Sequence, residues 1–154
     1  MMNKSYTIIS TLLALAILSG CSTGTDESED GGGNGDVARA ENEASAIGSM
    51  RTIVTAEALF KAGGAKLSDG ETQYGTLKEL STTVPPFIDT VLASGKKNGY
   101  TFTLIIGQGV STYTVTSEPV NDAAGTRSFF ADTAGILRVS SDGQAATKDS
   151  PALQ

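Results

Sequence analysis

Within residues 42–60, NEASAIGSMRTIVTAEALF, apolar side chains recur every three or four positions: Ala46, Ile47, Met50, Ile53, Val54 and Phe60. That spacing follows the period of an α-helix and gathers these side chains along one side. Ser45, Ser49, Arg51, Thr52 and Thr55 fall mostly on the other side. Ala38, Ala40 and Ala44 favour the helical state, so the helix is expected to begin a few residues before Asn42, and Gly63 and Gly64 end it. At about 1.5 Å per residue the stretch is roughly 28 Å long. Burying Ile47, Met50, Ile53, Val54 and Phe60 contributes on the order of 10 kcal/mol gross, much of it offset by ordering entropy. Such a helix cannot bury its stripe against itself, so the remainder of the chain must supply the cover.

That cover is β-rich. Tyr100, Phe102, Leu104 and Ile106 alternate with Thr101, Thr103 and Ile105, Gly107 to Gly109 make a turn, and Tyr113 and Val115 alternate with threonines over 112–116. Gly107 to Gly109 lacks the third glycine of a dinucleotide fingerprint and opens no helix, so it reads as a hairpin turn. A loop over 117–126 with Pro119 and Gly125 leads to a second hairpin, Arg127 to Asp132 and Ile136 to Ser140, around a turn at 133–135. Between helix and hairpins, Thr76 to Leu80 suits a helical turn. Pro86 is placed to begin another short helix, with Phe87, Ile88, Val91 and Leu92 on its apolar side and Gly95 at its end. The expected fold is α+β: one long N-terminal amphipathic helix packed on a four-stranded antiparallel sheet.

Composition narrows the chemistry. The chain has 154 residues, one domain's worth, with 11 basic and 17 acidic residues and a formal net charge of -6. No basic cluster exceeds the pair Lys96 and Lys97, which argues against a nucleic-acid partner. Histidine and tryptophan are absent, so the commonest general base and transition-metal ligand is missing. The single cysteine, Cys21, permits neither an intramolecular disulfide nor a cysteine-based zinc site.

The N-terminus reads as an export signal. Lys4 supplies a positive start, and Ile8 to Leu18 is a nearly continuous apolar run of about eleven residues, short of the roughly 20 that span a bilayer. Leu18, Ser19, Gly20 and Cys21 then resemble the lipobox of bacterial lipoproteins, which implies lipidation of Cys21 as the first residue of the mature chain. The competing reading is an ordinary cleaved secretory signal that happens to contain a cysteine. Several acyl chains on one residue make a stable anchor where one chain would not. Ser22 is not the aspartate that the lipoprotein family associates with inner-membrane retention, so in a diderm bacterium the resemblance implies the outer membrane. The expected organisation is a signal peptide over 1–20, a lipidated, acidic, glycine-rich tether over 21–37, a globular domain over 38–144 and a disordered tail over 145–154. Glycines at 31–33 and 35 are expected to interrupt any continuous helix, at about 1 kcal/mol apiece. Two apparent motifs fail inspection. Gly20, Ser22 and Gly24 match a hydrolase pattern with no strand before them and no histidine to serve the serine. Gly32, Gly33 and Gly35 approximate a calcium-binding repeat that has no second copy.

The segments NEASAIGSMRTI (42–53), GYTFTL (99–104), Tyr113 to Val115 and, above all, GTRSFFADTAGILR (125–138) are similar to the globular head of type IV pilins and of the major pseudopilins of type II secretion. The resemblance spans roughly residues 40–140. It implies a long helix on an antiparallel sheet and partners in secretion or pilus machinery. That family carries a prepilin leader and an unbroken apolar stem, which this chain lacks, so filament assembly does not carry over.

Several side chains merit placement. Glu57 lies near the apolar stripe, either as a functional acid or partner for a buried arginine such as Arg127, or as a rim residue reaching water. Phe129 and Phe130 are neighbours on a strand; they form a recognition patch, or one is core and the other is covered by a loop on an edge strand. Asp132 and Asp142, with loop carbonyls, are the candidate calcium ligands that the pseudopilin resemblance suggests, although no dense acidic loop accompanies them. No catalytic set and no cofactor site is expected. Two functional classes stand: a membrane-anchored interaction protein, and an envelope module that binds a small ligand or glycan in a pocket lined with aromatics.

Overall fold

The computed structural model describes residues 33–63 and 73–154. The long helix, α1, runs over Gly33–Ala62, 30 residues, or about 45 Å at ~1.5 Å per residue. Its buried residues, Glu43, Ala46, Ser49, Met50, Ile53, Ala56 and Glu57, keep the three- and four-residue spacing, with Ile47, Val54 and Phe60 partly buried beside them. The helix starts earlier than expected, so Gly33 and Gly35 begin it and residues 33–37 of the expected tether belong to it. First-turn amides have no intrahelical acceptor, which lessens what glycine costs there. Asp36 in the first turn suits the helix dipole and pairs with Arg39 at 3.2 Å. The signal peptide, Cys21 and the remainder of the tether lie outside the described residues.

After α1 come two short helices, α2 (Leu77–Thr82) and α3 (Thr90–Ala93). A capping box formed by Thr76 and Glu79 opens α2. The N-cap of α3 is Asp89, whose side chain accepts from the Leu92 amide, so this helix starts later than Pro86 and leaves Val91 exposed. The sheet has five antiparallel strands, one more than expected, in sequential order β1 to β5. They are β1 (Lys96–Lys97), β2 (Tyr100–Ile106), β3 (Tyr113–Pro119), β4 (Ser128–Asp132) and β5 (Arg138–Ser140). The additional strand, β1, joins β2 through Asn98 and Gly99, both at positive φ, 46° and 74°. That is the backbone hand of the tightest hairpin turns, which Asn-Gly adopts readily.

The chain is therefore α+β, with α1 packed on β3 and β4. Tyr100 and Phe102 of β2, Tyr113 and Val115 of β3, and Phe129 and Ala131 of β4 face Ala46, Met50, Ile53 and Ala56 of α1 in one core. Leu80 of α2, Leu92 of α3 and Ile88 from the connection between them close that core. The last ten residues do not fray. Val139 N–H donates to Pro151 O at 3.0 Å and Leu153 N–H to Leu137 O at 2.8 Å, so Ala152 bridges Arg138 along the open edge of β5. Arg138 Nη1 adds a bond to Ser150 O. A polar tail is ordered here because it satisfies backbone groups of an edge strand, which carries more weight than its lack of apolar side chains.

Candidate functional site

Two glutamates of α1 are buried, and they are fourteen positions apart, close to four helical turns, hence on one side of the helix. Glu43 is clamped. Its Oε1 accepts from the Thr126 amide at 2.9 Å, the Thr126 hydroxyl at 3.2 Å and the Arg127 amide at 3.2 Å. Its Oε2 accepts from Arg127 Nε at 2.6 Å. Burial alone would raise this carboxyl, but the Thr126 and Arg127 bonds outweigh it and hold the group below the usual carboxylate range. The clamp fixes the loop between β3 and β4. Asn42 Nδ2 donates to Ala124 O at 3.1 Å, and Tyr100 Oη donates to Arg127 O at 2.8 Å. Gly125 is required where the loop passes that tyrosine, because a Cβ there would stand 2.2 Å from Tyr100 Oη.

For Glu57 the structure overturns the rim position and the pairing with Arg127, and leaves the functional acid standing. The side chain does not reach water at a rim, being 0% exposed, and it does not meet Arg127, which Glu43 holds. Its Oε2 accepts from the Gly75 amide at 2.9 Å, and its Oε1 has no partner among the described residues. Burial, opposed by the Gly75 bond and assisted by the charge of Glu79, pushes its carboxyl up to about 7. Tyr74 and Tyr113 pack edge to face beside it, centroids 4.8 Å apart. Lys61 donates to Tyr74 Oη at 3.3 Å and lies over that ring. Burial, Glu57, Tyr74 and Asp132 together raise the Tyr113 hydroxyl.

Phe129 and Phe130 are both buried, at 0% and 9% exposure. The strand that carries them, β4, is interior to the sheet, not an edge. Phe129 enters the helix-side core, whereas Phe130 shares the opposite face with Ser128. There the C-terminal segment crosses: Ser128 Oγ donates to Gln144 O at 2.6 Å and accepts from the Ala146 amide at 2.8 Å, and Ala146 is buried. Neither ring forms an exposed patch.

Asp132 and Asp142 serve separate turns. Asp132 Oδ1 accepts from the Ala134 amide at 2.9 Å, and Asp142 Oδ1 accepts from the Ser140 hydroxyl and the Gln144 amide. Among the described residues no three acidic, histidine or cysteine side chains gather as a metal set, and no helix is long and apolar enough to cross a membrane. A polar cleft of about 420 Å³ opens between the β3–β4 loop and the returning C-terminal segment, lined in part by Glu118, Asn121, Asp122, Thr126, Ser128 and Gln144. Among the described residues no aromatic side chain lines it.

The sequence reasoning missed Glu43. Its signal was present, since positions 43, 46, 50, 53 and 57 continue one three-four spacing, but a carboxylate does not register as part of an apolar stripe. Comparison with protein-family models, with curated proteins and with solved structures finds no match to this chain.

Proposed function

We propose that this chain is a lipid-anchored protein of the cell envelope, whose pilin-like head engages other proteins of secretion or pilus machinery. The reading rests on one juxtaposition: a signal ending in Leu18 to Cys21, followed after a short acidic, glycine-rich stretch by a long helix laid across an antiparallel meander. Lipidation at Cys21 holds the chain to a membrane, the outer membrane in a diderm bacterium. The 11 residues from Ser22 to Gly32 would reach at most about 40 Å if fully extended. Beyond them the exposed first turns of α1, residues 33–41, lead to the clamped body at Asn42 and Glu43.

A second reading, an envelope module for a small polar ligand or glycan, takes its support from the polar cleft beside Ser128. The absence of aromatic lining favours the first, because sugar recognition commonly stacks a ring on an aromatic face. Crosslinking in the native cell, with identification of the attached proteins, separates the two. Recovery of secretion or pilus components is the expected result. Recovery of none, together with saccharide retained on the purified protein, would favour the cleft. The anchor is tested separately: Cys21→Ser should leave the membrane fraction and lose the mass of its acyl chains. An unchanged mass and distribution would remove lipidation from the proposal.

A further inference from the structure

Among the described residues Glu57 is the buried carboxylate with least compensation, and its one bond goes to a junction. Gly75 donates to it at 2.9 Å, and the next residue, Thr76, is the N-cap of α2. Gly75 reaches the carboxyl only because it has no side chain; a Cβ there would stand 2.9 Å from the Phe60 ring. Thus the Glu57–Gly75 bond ties the start of α2 to the last turns of α1, beside the Tyr74 and Tyr113 rings.

The geometry points to Glu57 as a proton-operated latch: its neutral carboxyl holds residues 73–76 and the start of α2 against α1, and loss of the proton frees them. A neutral carboxyl needs little from this pocket. A carboxylate needs several donors, and the described residues offer one. Among the described residues, the surrounding groups do not neutralise it. From β3 comes Tyr113, whose hydroxyl burial keeps protonated; from the 73–76 segment comes Tyr74; from α2 comes Glu79, of like charge. Asp132 of β4 acts on Tyr113 with the same negative sign. Lys61, one turn on along α1, is committed to Tyr74. Opening the 73–76 segment lets water reach the carboxylate, which relieves the cost without disturbing the Glu43 clamp, almost four turns earlier in α1.

The size of the response follows from linkage. With the closed-state carboxyl at about 7 and the opened one at its ordinary 4.5, the opening equilibrium rises about tenfold between pH 6 and pH 8. The full-length chain in detergent micelles provides the test, through amide hydrogen exchange at the two pH values corrected for intrinsic exchange rates. Protection of Gly75 should fall about tenfold, whereas protection of Thr126 and Arg127 should stay within twofold. Glu57→Gln keeps a carbonyl acceptor for Gly75 but carries no proton to lose, so its Gly75 protection should stay flat. An equal pH response in E57Q, or none in the wild type, overturns the latch. If E57Q fails to fold, a carbon-13 titration of the Glu57 carboxyl in the wild type decides. A midpoint of 6 or above supports the latch, and one below 6 overturns it.

Discussion

Truncating Glu43 to alanine removes the acceptor for two backbone amides, a hydroxyl and a guanidinium in one step. The amides of Thr126 and Arg127 are partly buried, and a buried donor left without a partner costs about 1–3 kcal/mol. The Arg127 ion pair adds less, about 0–1 kcal/mol, because the arginine side chain is 36% exposed. Two other ties to the same loop survive, Asn42 to Ala124 and Tyr100 to Arg127, and they limit how far it moves. We therefore expect Glu43→Ala to lower the unfolding free energy by about 3 kcal/mol, a large share of the 5–15 kcal/mol typical of a domain. Glu43→Gln, which keeps one acceptor oxygen for the amides, should cost only about 1 kcal/mol. The assay is urea unfolding followed by circular dichroism and tyrosine fluorescence at neutral pH. The acid dependence has a definite sign. The folded-state carboxyl sits below its ordinary value of 4.5, so its stabilisation is complete above that pH and is lost as pH falls through the folded value. A cost below about 1 kcal/mol for Glu43→Ala, or equal costs for the two variants, would refute the assignment of the clamp to the carboxylate.

Other consequences are equally open to measurement. Gly125→Ala forces a Cβ onto the fully buried Tyr100 and should cost about 2 kcal/mol, seen as a melting-temperature drop of roughly 6 °C. Ending the chain after Ser141 removes the bonds from 144–153 to Ser128, Leu137, Arg138 and Val139 and bares the edge of β5. That truncation should destabilise the domain by about 3 kcal/mol and promote self-association, measured by unfolding and by size-exclusion chromatography. Glu57 gives the opposite pH limb from Glu43: its folded value is raised, so its contribution is complete below 4.5 and lost as pH rises through about 7. The loss approaches about 3 kcal/mol by pH 8, capped at the free energy of local opening, and Glu57→Gln should abolish the slope.

What could be read beforehand depended on periodicity. The bounds of β2 came directly from the alternation of Tyr100, Phe102 and Leu104, and the stripe of α1 came from its three-four spacing. Three elements carry no such signal. Strand β1 is two lysines, too short to show any period; its trace in the sequence is the Asn-Gly pair that follows, a hairpin-turn signal with no alternating run before it. The C-terminal segment is polar because it bonds through its backbone, and backbone bonding leaves no mark on side-chain composition. The earlier start of α1 rests on glycines that cost less at a helix end than in its middle. For Phe129 and Phe130 the reading of one core ring and one covered ring holds, but not its edge strand: β5 makes β4 interior, and the returning C-terminal segment crosses the face that Phe130 shares with Ser128.

The same limit governs the two glutamates, and their contrast explains why one helix carries both. Both continue the three-four spacing of the buried stripe, but only Glu57 lies beside apolar residues that draw notice to it, and nothing nearby in sequence says what becomes of either, because the partners are mainly backbone amides. For Glu43 they lie 83 and 84 positions away, and four donors make the charged form the stable one. For Glu57 the partner lies 18 positions away, and one donor makes the neutral form the stable one. The two buried positions on α1 therefore respond to protons in opposite directions. The clamp at the β3–β4 loop tightens as pH rises from acid, while the contact with Gly75 weakens toward neutrality. A change of pH from 6 to 8 leaves the first saturated and acts on the second alone. Among the described residues, that places the response of the proposed latch at the junction between α1 and α2, away from the clamped loop.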